Sequence, residues 1–122
     1  MKIRIKGNTV RYRLSKTEVL TLAETGKLEE HTEFLHGTLI YSIRQVENDK
    51  LSADFSQNII SLQVPGTALQ NWANTDQVGI EGQMSLSNGN VLYLLLEKDF
   101  KCIDSEVTED QSDYFENPLL TC

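Results

Sequence analysis

The sequence is short of the residues that staple, kink or anchor a chain: of 122 residues, two are cysteine, two proline and one tryptophan. Cys102 and Cys122 allow a single pairing, so no disulfide framework can stand in for a hydrophobic core, and in a reducing compartment free thiols are expected. No window approaches the roughly 18 to 20 apolar residues of a membrane span. The opening Met1-Lys-Ile-Arg-Ile-Lys6 sets charges where a signal peptide carries its apolar segment. The expectation is a cytoplasmic protein without a membrane partner.

Catalytic signatures are equally scarce. The only histidines, His31 and His36, are not spaced with either cysteine as zinc ligands are. A calcium loop counted from Asp104 puts Glu109 where glycine is needed and Phe115 where a carboxylate is needed. No phosphate loop, dinucleotide fingerprint or Gly-x-Ser-x-Gly elbow occurs. No cofactor and no metal is expected from these patterns.

What is present is charge, unevenly placed. The net charge is −7, yet residues 1–13 hold Lys2, Arg4, Lys6, Arg11 and Arg13 with no acid, while residues 97–122 hold eight carboxylates and two lysines. So acidic a chain is a poor nucleic-acid binder, because phosphate neutralisation supplies most non-specific affinity. Only the first two strands could attract an anion.

One domain fits the length. Residues 2–6 and 10–14 alternate apolar and charged about Gly7-Asn8, which predicts a hairpin. Its register pairs Ile5 with Val10 and Ile3 with Tyr12, and stacks Arg4 on Arg11 and Lys2 on Arg13. Like charges so placed repel by a few tenths to about 1 kcal/mol, which calls for acid nearby. Ser15-Lys-Thr-Glu18 is a capping box and Gly26 a stop signal, predicting a helix near 15–25. Strands follow at 27–35 and 38–46 about His36-Gly37. A three-residue turn at Asn48-Asp-Lys50 is expected to set Ile43 against Phe55, and Gln57-Asn58 to pair Phe55 with Ile60 and Ala53 with Leu62. A second helix is expected near 66–74. Strands at 76–86 and 91–98 are joined at Asn88-Gly89, with Ile80 and Met84 sharing a face with Tyr93 and Leu95. Residues 91–96 form the longest apolar run, and both of its faces must be covered.

Eight strands in sequential hairpins predict a mainly β, antiparallel barrel over residues 1–98, which closure would rid of edges, with a strongly bent open sheet packed against both helices as the alternative. Residues 99–122 are expected as an acidic tail partly docked on it. The segments Met1-Lys-Ile-Arg-Ile-Lys-Gly-Asn8, Arg11-Tyr-Arg-Leu-Ser15, Trp72-Ala-Asn-Thr-Asp-Gln-Val-Gly79, Leu96-Glu-Lys-Asp-Phe-Lys-Cys102 and Asp113-Tyr-Phe-Glu-Asn-Pro118 together resemble a family of small bacterial proteins of unknown function. That resemblance implies a calycin-like barrel and carries no activity with it. The Gly-x-Trp motif of lipocalin carriers is missing.

The expected function is a non-enzymatic binding module for a small ligand or a protein partner. The candidate ligand-binding residues are Arg4, Arg11, Arg13, Trp72 and Tyr93, the three arginines as a fork of donors for a carboxylate or phosphate. The alternative is a calycin-like enzyme for a small anionic substrate, with the arginines orienting it and a carboxylate such as Glu81 as base. Neither the ligand nor the oligomeric state is written in the pattern.

Overall fold

The computed structural model describes residues 1–100. Eight strands and two helices follow one another as β1 (Lys2–Lys6), β2 (Thr9–Leu14), α1 (Lys16–Thr25), β3 (Lys27–Phe34), β4 (Gly37–Val46), β5 (Ser52–Ser56), β6 (Ile59–Pro65), α2 (Gly66–Asn74), β7 (Gly79–Ser85) and β8 (Val91–Lys98). They form two open four-stranded sheets. Sheet A has the order β1-β2-β8-β7 and sheet B the order β3-β4-β6-β5.

The expected closed antiparallel barrel is therefore not what the chain builds. The helix after β2 carries the chain from sheet A to sheet B and the helix after β6 carries it back, so the two middle hairpins share sheet B while the first and last share sheet A. The central pairs β2 with β8 and β4 with β6 are parallel. The expected β4–β5 hairpin does not form, because β6 takes the place beside β4 and leaves β5 at an edge.

Two of the tight-turn predictions hold, while the β3–β4 turn falls at Leu35-His36 instead of His36-Gly37, with Phe34 paired to Gly37. The β1–β2 ladder pairs Ile5 with Val10, Ile3 with Tyr12, Arg4 with Arg11 and Lys2 with Arg13, and β5–β6 pairs Phe55 with Ile60 and Ala53 with Leu62. Both turns use the left-handed backbone region, with Gly7 at φ 54° in the first and Gln57 and Asn58 at φ 51° and 65° in the second. The β7–β8 register differs from expectation by one residue. The Leu86 amide donates to Asn90 and Gly89, at φ 90°, donates to Leu86, a three-residue loop with a glycine bulge instead of a two-residue one. Since side chains alternate, a slip of one turns a strand over. Tyr93 consequently pairs with Gln83, and Met84 with Leu92.

Helix α1 is capped as its sequence requires. Ser15 Oγ accepts the Glu18 amide, Glu18 Oε1 accepts the Ser15 amide at 2.8 Å, and Gly26 closes the helix at φ 76° with its amide on Leu22. Helix α2 starts at Pro65 without a side-chain cap, so tertiary packing has to hold it, and Leu69 and Trp72 are fully buried.

The two halves of the chain follow one plan. Hairpin, helix and hairpin occur twice, and β1 to α1 maps onto β5 to α2 fifty positions later. Tyr12, Leu14, Val19 and Leu22 correspond to Leu62, Val64, Leu69 and Trp72, all of them buried. Even a single inter-hairpin bond repeats, since Tyr93 donates its amide to Asn8 C=O and Ile40 donates to Asn58 C=O, both at 2.9 Å. The core lies between the inward faces of the sheets and is plugged at one end by the helices, whose Leu22 and Trp72 meet Tyr12, Ile43, Leu62 and Leu96. The hairpin turns occupy the other end, where Ile5, Phe34, Leu35 and Phe55 are exposed.

No ladder joins β1 to β3 or β5 to β7. Side chains bridge these seams instead. The Met1 ammonium donates to Glu18 and, at 3.0 Å, to Glu30, whose other oxygen accepts the Tyr41 hydroxyl at 3.0 Å. At the second seam Leu51 fills the space above Gly82, where an added Cβ would lie 2.9 Å from Leu51 Cβ.

Candidate binding face

Because β1 and β2 direct Ile3, Ile5, Val10, Tyr12 and Leu14 inward, alternation directs Lys2, Arg4, Lys6, Thr9, Arg11 and Arg13 outward. Parallel pairing then lays β8 alongside, with Arg13 opposite Glu97, Arg11 opposite Leu95 and Thr9 opposite Tyr93. On the far edge β7 adds Glu81 beside Leu95 and Gln83 beside Tyr93. The outer face of sheet A is thus a set of short rows, basic on the β1–β2 side and carrying Tyr93, Leu95, Glu81 and Gln83 on the other.

The like-charge pairs of the first hairpin are offset from two places. Glu97 Oε1 accepts a hydrogen bond from Arg13 Nε at 3.0 Å and lies 3.3 Å from Arg11 Nε in an ion pair, so one carboxylate serves two guanidinium groups. Lys2 Nζ reaches Asp99 Oδ2 at 2.7 Å. The hydrogen bond from Lys2 holds the Asp99 carboxyl below the usual carboxylate range. Among the described residues neither Arg4 nor Lys6 has an ion-pair partner.

A shallow depression of about 490 Å³ lies on the β7–β8 side of this face, walled by Thr9, Tyr93, Leu95, Glu81 and Gln83. Tyr93 is 48 % exposed beside it. Such a surface offers cations, an aromatic ring and an apolar floor to something laid across the strands.

The structure gathers four of the five residues singled out from sequence, Arg4, Arg11, Arg13 and Tyr93, onto one surface, together with Glu81. They face outward and not into an interior. Trp72 does not join them. It is fully buried, donates its indole N–H to Val78 C=O at 3.0 Å, and has Lys98 Nζ 5.7 Å from its ring centroid. Lys2, Lys6, Thr9 and Gln83 were not among the sequence candidates. The alternation of β1 alone could have supplied the two lysines, but Thr9 and Gln83 depend on the long-range β2–β8 pairing and on the bulge.

The outer face of sheet B has a different character. Glu29, Glu33 and Asp54 stand with Lys27 and Arg44 around Ser42 and Ser61, and His31 Nε2 lies 3.2 Å from Glu29. No group of three or more His, Cys, Asp or Glu is arranged for a metal among the described residues. The tail residues weighed as a calcium loop and the Cys102–Cys122 pair lie outside the described residues.

The internal repeat supplies a control for the basic charge. The positions of Lys2, Arg4, Lys6, Arg11 and Arg13 are taken in the second half by Ser52, Asp54, Ser56, Ser61 and Gln63. The same hairpin therefore forms without any of the five cations. No curated protein and no solved structure matches this chain. Its family model does match, over residues 1–119, and the chain belongs to the family of unknown function DUF7009.

Proposed function

We propose that this protein is a non-enzymatic binding module whose outer face of sheet A takes an acidic polypeptide segment. The observation that carries this reading is the five outward cations of the first hairpin, set against their absence from the same positions of the second. A charge the fold does not need, held on one face beside an exposed tyrosine and an apolar floor, is suited to recognition. Arg4 and Lys6 supply the attraction, and the arginine forks match carboxylate geometry. Tyr93 and Leu95 give apolar contact to side chains lying between the acidic ones. A polypeptide is favoured over nucleic acid because it can set apolar side chains between its carboxylates, and these meet Tyr93 and Leu95 where the cations meet the acids.

Backbone amide NMR during titration with poly-L-glutamate tests the reading. Shifts are expected at Arg4, Thr9, Arg11, Gln83 and Tyr93, with Glu29, Ser42, Ser61 and Asp54 unmoved. Shifts on sheet B, or none at low ionic strength, would overturn it.

A further inference from the structure

The last described residues lie beside the basic face. Asp99 donates its amide to Leu14 C=O at 2.9 Å, extending the parallel pairing with β2, and its carboxylate is held by Lys2, the first cation of the outward row. Two residues earlier Glu97 is shared by Arg11 and Arg13. The chain thus begins to neutralise this surface with its own acids before residue 100. Beyond it, residues 101–122 hold six more carboxylates against one lysine, interleaved with Ile103, Val107, Tyr114 and Phe115. Arg4 and Lys6, still without an ion-pair partner among the described residues, lie further along the same strand.

We propose that residues 101–122 of this chain dock on the outer face of sheet A, making the protein carry its own competitor for an acidic partner. Reach is sufficient: a dozen extended residues span about 40 Å, whereas four strands are about 15 Å across at roughly 4.8 Å spacing. The tail has the composition expected of the partner, with carboxylates to meet Arg4, Lys6 and Arg11 and apolar residues for the depression beside Tyr93. The outer face of sheet B, where Lys27 and Arg44 stand among Glu29, Glu33 and Asp54, has no comparable excess of cations to hold the same segment. A tethered competitor acts at an effective concentration of about a millimolar, so a free partner must displace it to bind. The docking stands on the charges of this chain alone. The competition rests on the proposed acidic partner.

The full chain with Cys102→Ser, Cys122→Ser and Ser112→Cys, carrying a nitroxide at position 112, tests the docking. Amide signals of Arg4, Lys6, Thr9 and Tyr93 should broaden more than those of Glu29, Ser42, Ser61 and Asp54, and Arg4→Glu with Lys6→Glu should remove the difference. Equal broadening of both faces, or broadening centred on Leu20 and Ala73 at the helix end, would overturn it. Competition is read in the full chain with Asp104→Asn, Glu106→Gln, Glu109→Gln and Asp110→Asn, which should bind poly-L-glutamate several-fold more tightly than the unaltered chain. Equal binding by both removes the competition and leaves the binding reading standing. If the nitroxide places the tail on sheet A but the neutralised chain binds no poly-L-glutamate, docking stands and the acidic-partner reading falls.

Discussion

On β1 and β2 the outward positions hold Lys2, Arg4, Lys6, Arg11 and Arg13; fifty positions later, on β5 and β6, they hold Ser52, Asp54, Ser56, Ser61 and Gln63. Inward, the same two hairpins are alike, with Tyr12 and Leu14 answering to Leu62 and Val64, all fully buried. The inward set is dictated by packing and recurs. The outward set is free of that constraint and diverges, so the fold itself does not require the cations of the first hairpin.

If packing is what the halves share, equivalent core truncations should damage both. Trp72→Ala is expected to cost about 4 kcal/mol and Leu22→Ala about 3, each the loss of a fully buried side chain plus the cavity left behind. Urea unfolding reads both values, and a change below about 1 kcal/mol at either position would show the repeat to be one of chain path only.

The seams should respond more weakly. Gly82→Ala drives a Cβ to within 2.9 Å of Leu51 Cβ, and overpacking of that kind costs about 1 to 3 kcal/mol. Gly37→Ala, with open space at its Cβ position and no positive φ, should cost well under that amount in the same assay.

The β1–β3 seam has no counterpart ion pair among the described residues at β5–β7, which makes the pH response one-sided. Burial opposes the charge on Met1, but its bonds to Glu18 and Glu30 outweigh that and raise the ammonium above its usual 8.0. Burial likewise opposes ionisation of Glu18, and the bonds from Met1 and Ser15 outweigh it and lower the carboxyl below 4.5. The raised amine contributes stability that is full below pH 8.0 and lost as pH rises through the folded value. The lowered carboxyl contributes stability that is full above pH 4.5 and lost as pH falls through its folded value. Glu18→Gln should therefore reduce stability by about 1 kcal/mol between those limits, and flatten both flanks of the unfolding-midpoint profile. A profile parallel to that of the unaltered chain would place the seam's stability elsewhere.

The smallest effect is expected where the halves differ most. Giving β1 the outward residues of β5, as Lys2→Ser, Arg4→Asp and Lys6→Ser, should move the unfolding free energy by no more than about 0.5 kcal/mol, as exposed substitutions do. Placing an acid opposite Arg11 even relieves a like-charge pair.

The parts of this fold that are legible from sequence are those whose cause is local. Gly7-Asn8 and Gln57-Asn58 fix their hairpins because left-handed turn residues set the register, and Ser15 with Glu18 marks the helix start by mutual bonding. The parallel pairs were not legible, since nothing in β2 names β8 as its neighbour eighty residues away. Two signals bore on them. The unbroken apolar run Val91–Leu96 is typical of a central strand in parallel pairing, and the fifty-residue offset from Tyr12–Leu22 to Leu62–Trp72 reveals two like halves that a single meander would not contain. The β7–β8 slip had a smaller cause, since Gly89 supplies a bulge as readily as a two-residue turn. It decided whether Tyr93 belonged to the core or to the outer face of sheet A. The basic face was half legible: the alternation gave the cations, and their repulsion called for acids, which are Glu97 and Asp99.

The central claim is that the cations of the first hairpin serve recognition and not folding. Anisotropy of fluorescein-labelled poly-L-glutamate, titrated with the chain carrying Lys2→Ser, Arg4→Asp and Lys6→Ser, tests it most directly. The account predicts binding weakened by roughly tenfold or more, as loss of charged partners worth about 1.4 kcal/mol or more requires. A dissociation constant equal to that of the unaltered chain would contradict it.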